Sequence, residues 1–256
     1  MKLFRLFPVL FVLSLAMPSG VQAQSNEGFV QNVAPSTQGN ERSRQKSLWV
    51  MEVDMKPLRV IWVDQPNPQT GQMERQLYLY LCYRAMNRPV PAPTVRETEP
   101  QNRIDPEPNP PYFIPEFTLV ATDTDERQIL HDQILPEVQA AINAKERRTY
   151  KNSVTIVQPV PEATEEAPNN SNALFGVAIF SGIDPGVDRY TLYMGGFSNG
   201  YRAVPGPDGQ LQLERKTIQQ KFWRPGDEFD PNSLEFRFDE EPTWVYRPDD
   251  VTTSDE

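Results

Sequence analysis

Apolar and polar residues alternate along much of the chain from residue 48 onward. Trp49, Met51, Val53 and Met55 would share one face of a strand, with Val50, Glu52, Asp54 and Lys56 on the other, the period of two that a pleated strand imposes. Pro57 interrupts this ladder, and Leu58, Val60 and Trp62 resume it. The pattern predicts a strand with a break, or two short strands, with the proline at an edge or bulge. The run "QLYLYLCYRAM" (76–86) sets Leu77, Leu79, Leu81 and Tyr83 against Tyr78, Tyr80 and Cys82. Apolar groups on both faces predict a central strand covered on both sides.

Nine prolines fall within 89–115, a density that no regular element tolerates, so this stretch reads as an extended loop with polyproline character. It could be a docking motif for a proline-recognising partner or, more commonly, a surface insertion. Phe117, Leu119 and Ala121 alternate in a further strand, "DTDE" (123–126) makes a turn, and another strand begins at 127–131. Pro136 opens a helix at a position where its missing N–H costs nothing. Leu135, Val138, Ala141 and Ile142 recur at helical spacing, and Lys145, Arg147 and Arg148 close the helix with the charge its C-terminus favours. This helix is expected to cap an open end of the fold. Residues 154–157 read as a short strand, and 173–180 as a strand pairing with 190–194. Further strands are expected at 211–223, at Leu234, Phe236 and Phe238, and around Trp244 and Tyr246. About ten short strands, one short helical excursion and many Pro/Gly turns predict an all-β, antiparallel β-sandwich.

The N-terminus bears on location. Lys2 and Arg5 precede an apolar run over 6–17, and Val21-Gln22-Ala23 supplies small residues at a cleavage point. That is the layout of a cleavable secretory signal peptide over 1–23, with an apolar core too short to span a bilayer. The expected location is therefore secreted or periplasmic, with no membrane span after cleavage. Residues 24–46, rich in Ser, Asn, Gln and Gly, read as a disordered polar lead, 47–248 as one domain, and 249–256 as an acidic tail.

The formal charge is −10, and cleavage removes two cations and no acid. So acidic a chain repels phosphate backbones, which argues against a nucleic-acid partner. Cys82 is the only cysteine and His131 the only histidine. An internal disulfide is impossible, a zinc site of the usual Cys/His kind lacks ligands, and a Ser-His-Asp triad would have to use His131. Cys82 falls mid-strand among apolar neighbours, where a thiol is an inert core residue.

The order "YLCYRAMN" (80–87), "PEFTLVATDTDE" (115–126), "ALFGVAIF" (173–180) and "DRYTLYM" (188–194) resembles the secreted immunoglobulin-like sandwiches of bacterial lipoproteins and extracellular antigens. Asn87, Phe117-x-Leu119, Asp123 and Gly176-x-x-x-Phe180 carry the likeness, over 77–194. The proline loop, the lack of a lipid-anchor cysteine and the strands after 211 depart from it. The resemblance implies an immunoglobulin-like fold and an exported setting, and brings no catalytic residue. "GIDPGVDRY" (182–190) is similar to the corner where such sandwiches cross between sheets. Ile183, Pro185 and Tyr190 fit it, with the tyrosine hydroxyl expected to bond back to upstream backbone. Pro185-Gly186 suits a type II turn with Gly186 at positive φ.

The candidate chemistry is sparse. Asp184 and Asp188 could join Asp123 and Asp125 to hold calcium, and "GDEFDPN" (226–232) offers Asp227, Glu228, Asp230 and Asn232. Neither group follows the EF-hand spacing, and a solvated turn is the commoner fate of such acids. Carboxylates for a glycosidase are abundant but unmarked. Trp49, Trp62, Trp223, Trp244 and the Tyr78/Tyr80 pair could line a sugar-binding face, although core packing is their commoner fate. The expectation is an exported, monomeric, non-catalytic binding or scaffolding protein without a cofactor. It would contact an exported protein or a cell-surface polysaccharide through the 184–188 and 226–232 turns at one end of the sandwich. The alternatives are a carbohydrate-active enzyme and a calcium-stabilised structural module.

Overall fold

A computed structural model describes residues 28–45, 47–67, 70–90, 111–123, 128–206, 209–224 and 235–248. In chain order the elements are β1 (Gln31–Val33), α1 (Gly39–Arg44), β2 (Met51–Met55), β3 (Leu58–Pro66), β4 (Met73–Asn87), β5 (Tyr112–Phe113), β6 (Glu116–Ala121), β7 (Ile129–His131), α2 (Pro136–Glu146), β8 (Gln158–Pro159), β9 (Leu174–Phe180), β10 (Arg189–Gly195), β11 (Tyr201–Pro205), β12 (Leu211–Trp223) and β13 (Glu235–Pro248). All the pairings between these strands are antiparallel. Among the described residues no helix is long and apolar enough to cross a membrane.

β4 is central in one layer. β2 and β3 lie end to end along one of its edges and β9 along the other. β12 is central in the second layer, with β13 on one edge and β10 and β11 on the other; β10 continues to β6 and β6 to β7. Two residues of β13 pair with β3, so hydrogen bonding passes from one layer into the other. On the far side, the Gln133 N–H donates to the Ile179 carbonyl at 2.8 Å, and the Ile179 N–H donates to the Asp132 carboxylate at 2.7 Å. These bonds cover part of the free edge of β9, which would otherwise invite pairing with another chain.

Alternation in β4 decides the core. Leu79, Leu81, Tyr83 and Ala85 face inward and pack with Phe117, Leu119, Tyr190, Leu192, Ile218 and Phe236 from the other layer. Tyr83 and Phe117 cross the interior with ring centroids 5.3 Å apart. Tyr78, Tyr80 and Cys82 face outward into a second cluster with Val138, Ile142, Tyr150, Val177 and Ile179. The helix α2 therefore lies on the outer face of the β4 layer and does not cap an open end: its Val138–Ile142 stripe covers an apolar sheet face that water would otherwise meet.

The break at Pro57 is a one-residue bulge. Between the pairs Met55↔Tyr83 and Arg59↔Tyr80 the β2–β3 stretch advances four residues while β4 advances three. Met55 and Leu58 consequently both face the core, and the extra residue turns Lys56 towards α2.

Other expectations change. Part of the segment expected to be disordered, 24–46, is ordered: β1 pairs with β2, α1 follows, and Phe29 and Val33 are buried. Its few apolar residues and its Glu41 carboxylate, bonded to the buried Lys216, anchor a composition that reads as solvated. Residues 173–180 pair with β4 and not with β10, because 181–188 carries the chain from one layer to the other. Residues 153–156 form a turn instead of a strand, with the Asn152 side chain accepting the N–H groups of Val154 and Thr155 at 3.1 and 2.8 Å. The regions around Phe236 and Trp244 form one long strand, with Glu240 at φ 63 where the register shifts. The signal-peptide stretch 1–23, most of the proline loop and the tail 249–256 lie outside the described residues.

The hydroxyl end of Tyr83 lies against Gly176, its cross-strand partner; a Cβ there would meet the Tyr83 hydroxyl oxygen at 2.2 Å. The ring is wholly buried and also packs edge-on to Phe197 at 5.3 Å, so it has no room to retreat. Gly176→Ala is expected to destabilise the fold by about 1–3 kcal/mol through overpacking. Tyr83→Phe removes only a buried hydroxyl that has no hydrogen-bond partner among the described residues, and should not lower the melting midpoint. Thermal denaturation checks both: a Gly176→Ala midpoint equal to wild type would overturn the packing account.

Candidate binding cleft

The segment after α2 follows from the way the helix ends. Arg147 takes a left-handed conformation at φ 55, and the Asn143 carbonyl accepts the N–H groups of Arg147 and Arg148. The Asn143 side chain then accepts the Tyr150 N–H at 2.9 Å, and Gln139 donates to the Tyr150 carbonyl at 2.8 Å. Lys151 bonds β9 on both sides, its N–H to the Phe175 carbonyl at 3.0 Å and its carbonyl to the Val177 N–H at 2.9 Å. The run "KERRTYK" (145–151) is thus laid between the helix C-terminus and the edge of β9.

A cleft of about 990 Å³ opens there. Lys56, Arg147, Arg148 and Lys151 line it against one acid, Glu146. The Glu146 side chain is 5 % exposed. It accepts from Lys56 Nζ at 2.8 Å, from Arg59 Nη1 at 3.0 Å and from the Tyr80 hydroxyl at 2.7 Å. Burial would push this carboxyl up; hydrogen bonds from Lys56 and Tyr80, with the charges of Lys56 and Arg59, outweigh it and hold Glu146 below its ordinary 4.5. Lys56 sits 5.3 Å from the Phe29 ring centroid and 5.6 Å from that of Tyr150. Arg148 stacks 3.8 Å from the Phe175 centroid and donates to Asn170 Oδ1 at 2.9 Å. Arg147 and Lys151 are exposed and have no ion-pair partner among the described residues.

This arrangement can attract and orient a negative group. Three donors hold the Glu146 carboxylate, and among the described residues it is the one carboxylate that lines the cleft.

The residues singled out by sequence are elsewhere. The Asp184 side chain accepts the Gly186 N–H at 2.8 Å, and the Val187 N–H returns to the Asp184 carbonyl at 3.2 Å, closing a tight turn. The positive φ belongs to Gly182, at 71°, and Gly186 has none, so the turn is not type II. Asp188 Oδ1 is held by Arg224 at 2.9 and 2.7 Å, and Asp123 accepts the Asp188 N–H at 2.8 Å. Asp184, Asp188 and Asp123 are therefore committed to backbone or to arginine. Asp125, Asp227, Glu228, Asp230 and Asn232 lie outside the described residues. Among the described residues no group of three or more His, Cys, Asp or Glu side chains is placed to hold a metal ion. Near Ile183 and Pro185, the Tyr190 hydroxyl is buried and makes no hydrogen bond among the described residues, so the expected back-bond of the corner is missing. Cys82 is fully buried, and burial pushes its thiol up, away from nucleophilic character; His131 is exposed at the end of β7. Of the tryptophans, Trp49 and Trp244 pack against the core, while Trp62 is 45 % exposed beneath Arg75. The cleft itself had a visible signal, the run 145–151 that supplies Arg147, Arg148 and Lys151, which reads from sequence alone as helix-terminal charge.

No protein-family model, no curated protein and no solved structure matches the chain.

Glu146→Gln leaves Lys56, 5 % exposed, facing a neutral amide. It is expected to cost about 3 kcal/mol at pH 7. Because the folded pKa of Glu146 is depressed, its contribution is complete above 4.5 and is lost as pH falls through the lowered folded value. Midpoints of wild type and Glu146→Gln, measured from pH 7 downward, should therefore converge as pH falls through that value. A gap that stays constant until both unfold in acid would show that the ion pair is not its source.

Proposed function

We propose that the protein is an exported, monomeric, non-catalytic binding protein of the cell envelope, and that it takes an anionic ligand into the cleft between α2 and β9. The observation that carries this reading is the concentration of charge. A chain of formal charge −10 lines one cleft of about 990 Å³ with Arg147, Arg148 and Lys151 beside the paired Lys56 and Glu146. A cleft walled by one sign of charge raises the local concentration of the opposite sign. Export rests on the basic start, apolar run and small-residue cut site within 1–23. The immunoglobulin-like assignment belongs to the same proposal. Two antiparallel layers around one core and the crossing at 181–188 support it, while the pairing of β13 with β3 is where the chain departs from two separate sheets. With the 226–232 turn outside the described residues, the contact region moves from the 184–188 turn to the cleft, since the carboxylates of Asp184 and Asp188 already have partners. For the same reason calcium is not assigned to that corner.

Titration calorimetry of the mature chain against polygalacturonate, dextran sulfate, polyphosphate and an uncharged dextran tests this. Binding to at least one polyanion, weakening as sodium chloride rises, is expected, with no binding to the neutral polymer. Binding to none of them, or release of reducing ends from any polysaccharide, would remove the proposal. Millimolar calcium is expected to leave the melting midpoint unchanged.

A further inference from the structure

The chemistry of the cleft walls narrows the ligand. Resting on the anion-binding reading above, we propose that the cleft recognises a carboxylated sugar, a uronate unit of an acidic polysaccharide, with its carboxylate on Arg147 and Lys151 and its hydroxyls on neighbouring neutral groups.

The nature of the floor limits the charge. The Glu146 carboxylate is fixed in the cleft lining by Lys56, Arg59 and the Tyr80 hydroxyl, and α2 ends its C-terminus there. The helix C-terminus carries partial negative charge. Both features penalise a concentrated dianion such as a phosphate monoester, which is favoured at a helix N-terminus instead. A monoanion held at the rim, away from Glu146, avoids most of that penalty. The two cations free to take it are Arg147 and Lys151, which have no ion-pair partner among the described residues. The planar fork of Arg147 matches a carboxylate in two parallel hydrogen bonds.

The rest of the lining suits hydroxyl groups. Thr149, Gln158 and Asn170 all face the cleft. The Asn170 carbonyl oxygen is taken by Arg148, which leaves its amide N–H groups as donors. Neutral donors and acceptors beside isolated cations fit a ring that carries several hydroxyls for each charge. An acidic peptide fits less well. Its usual means of adding to a sheet is an extra strand on an exposed edge. Lys151 already bonds that edge of β9 at Phe175 and Val177, and Asp132 and Gln133 bond it at Ile179.

The test uses the mature full chain in buffer containing EDTA, so that calcium bridging of the sugar is excluded. Four probes are titrated: oligogalacturonate, its methyl ester, a sulfated dextran oligomer and polyglutamate, with inorganic phosphate as a fifth. Oligogalacturonate should bind, the methyl ester should bind at least tenfold more weakly, and phosphate should not bind. Arg147→Ala and Lys151→Ala should each weaken oligogalacturonate about tenfold, the loss of one charge-assisted contact. Lys221→Ala, on the other layer, should leave affinity unchanged, and melting curves should establish that all variants fold. Equal affinity for polyglutamate or for the sulfated oligomer would overturn the carboxylated-sugar assignment while leaving an anion-binding cleft in place. Oligogalacturonate binding that is indifferent to Arg147→Ala and Lys151→Ala would overturn the site. If no anionic probe binds, both proposals fall together.

Discussion

Tyr78, Tyr80 and Cys82 point away from the interior of the two-layer core, and in an antiparallel sheet that face would ordinarily be wet. Here it has to be covered, because β4 is apolar on both sides. α2 and the return segment through Tyr150 provide the cover, and Phe29 from the N-terminal segment completes it. Each of these pieces is ordered by the same apolar face. The cleft lies where that cover ends. α2 stops at Glu146 and the chain turns back along β9, which leaves an open gap between a helix end and a strand edge, with Ile156, Leu174 and Phe175 in its lining.

Both helices are fastened to the sheets in the same way. Glu146 of α2 receives Lys56 and the Tyr80 hydroxyl; Glu41 of α1 receives Lys216 at 2.8 Å and the Tyr246 hydroxyl. In each case the lysine is almost fully buried and also lies over aromatic rings, Phe29 and Tyr150 for one, Trp244 and Tyr246 for the other. Burying a lysine costs several kcal/mol unless it is paired and hydrogen-bonded. The pairing roughly offsets that cost, so these contacts add little net stability. Their effect is to fix where each helix sits, since any slip along the sheet leaves a charge buried without its partner.

Much of the sheet was legible from alternation. The odd–even split of 77–86, the break at Pro57 and the Phe117–Leu119–Ala121 face all appear where the period of two puts them, because a one-residue slip would move every one of those side chains to the wrong face. Partners were less legible than strands. Residues 173–180 and 190–194 look like a hairpin, but nothing in a local pattern reports that 181–188 crosses between layers. The order at 28–45 was hidden for a related reason: Phe29, Val33 and Glu41 are single anchors whose partners lie far along the chain. The 184–188 turn looked like a site because acids gather there, whereas its hydrogen bonds go to local backbone and to Arg224. The cationic run 145–151 was visible but ambiguous, since positive charge at a helix C-terminus is expected whether or not it faces a cleft.

Net charge and local charge pull in opposite directions on this molecule, and distance decides between them. At physiological ionic strength the screening length is about 8 Å. The excess acid, spread over a large surface, therefore acts on an approaching polyanion only weakly and only until contact. Within the cleft Arg147 and Lys151 act at hydrogen-bonding range, where screening is slight. On the proposed reading, a polyanion that cannot reach the cleft would meet only this weak net repulsion, and the cleft would be the place where attraction outweighs it. Such a surface selects by shape as well as by sign. On that reading, a polymer thin enough to lay one charged unit into the gap between α2 and β9 would be held, and one whose charges are too dense to avoid the carboxylate beneath would be turned away.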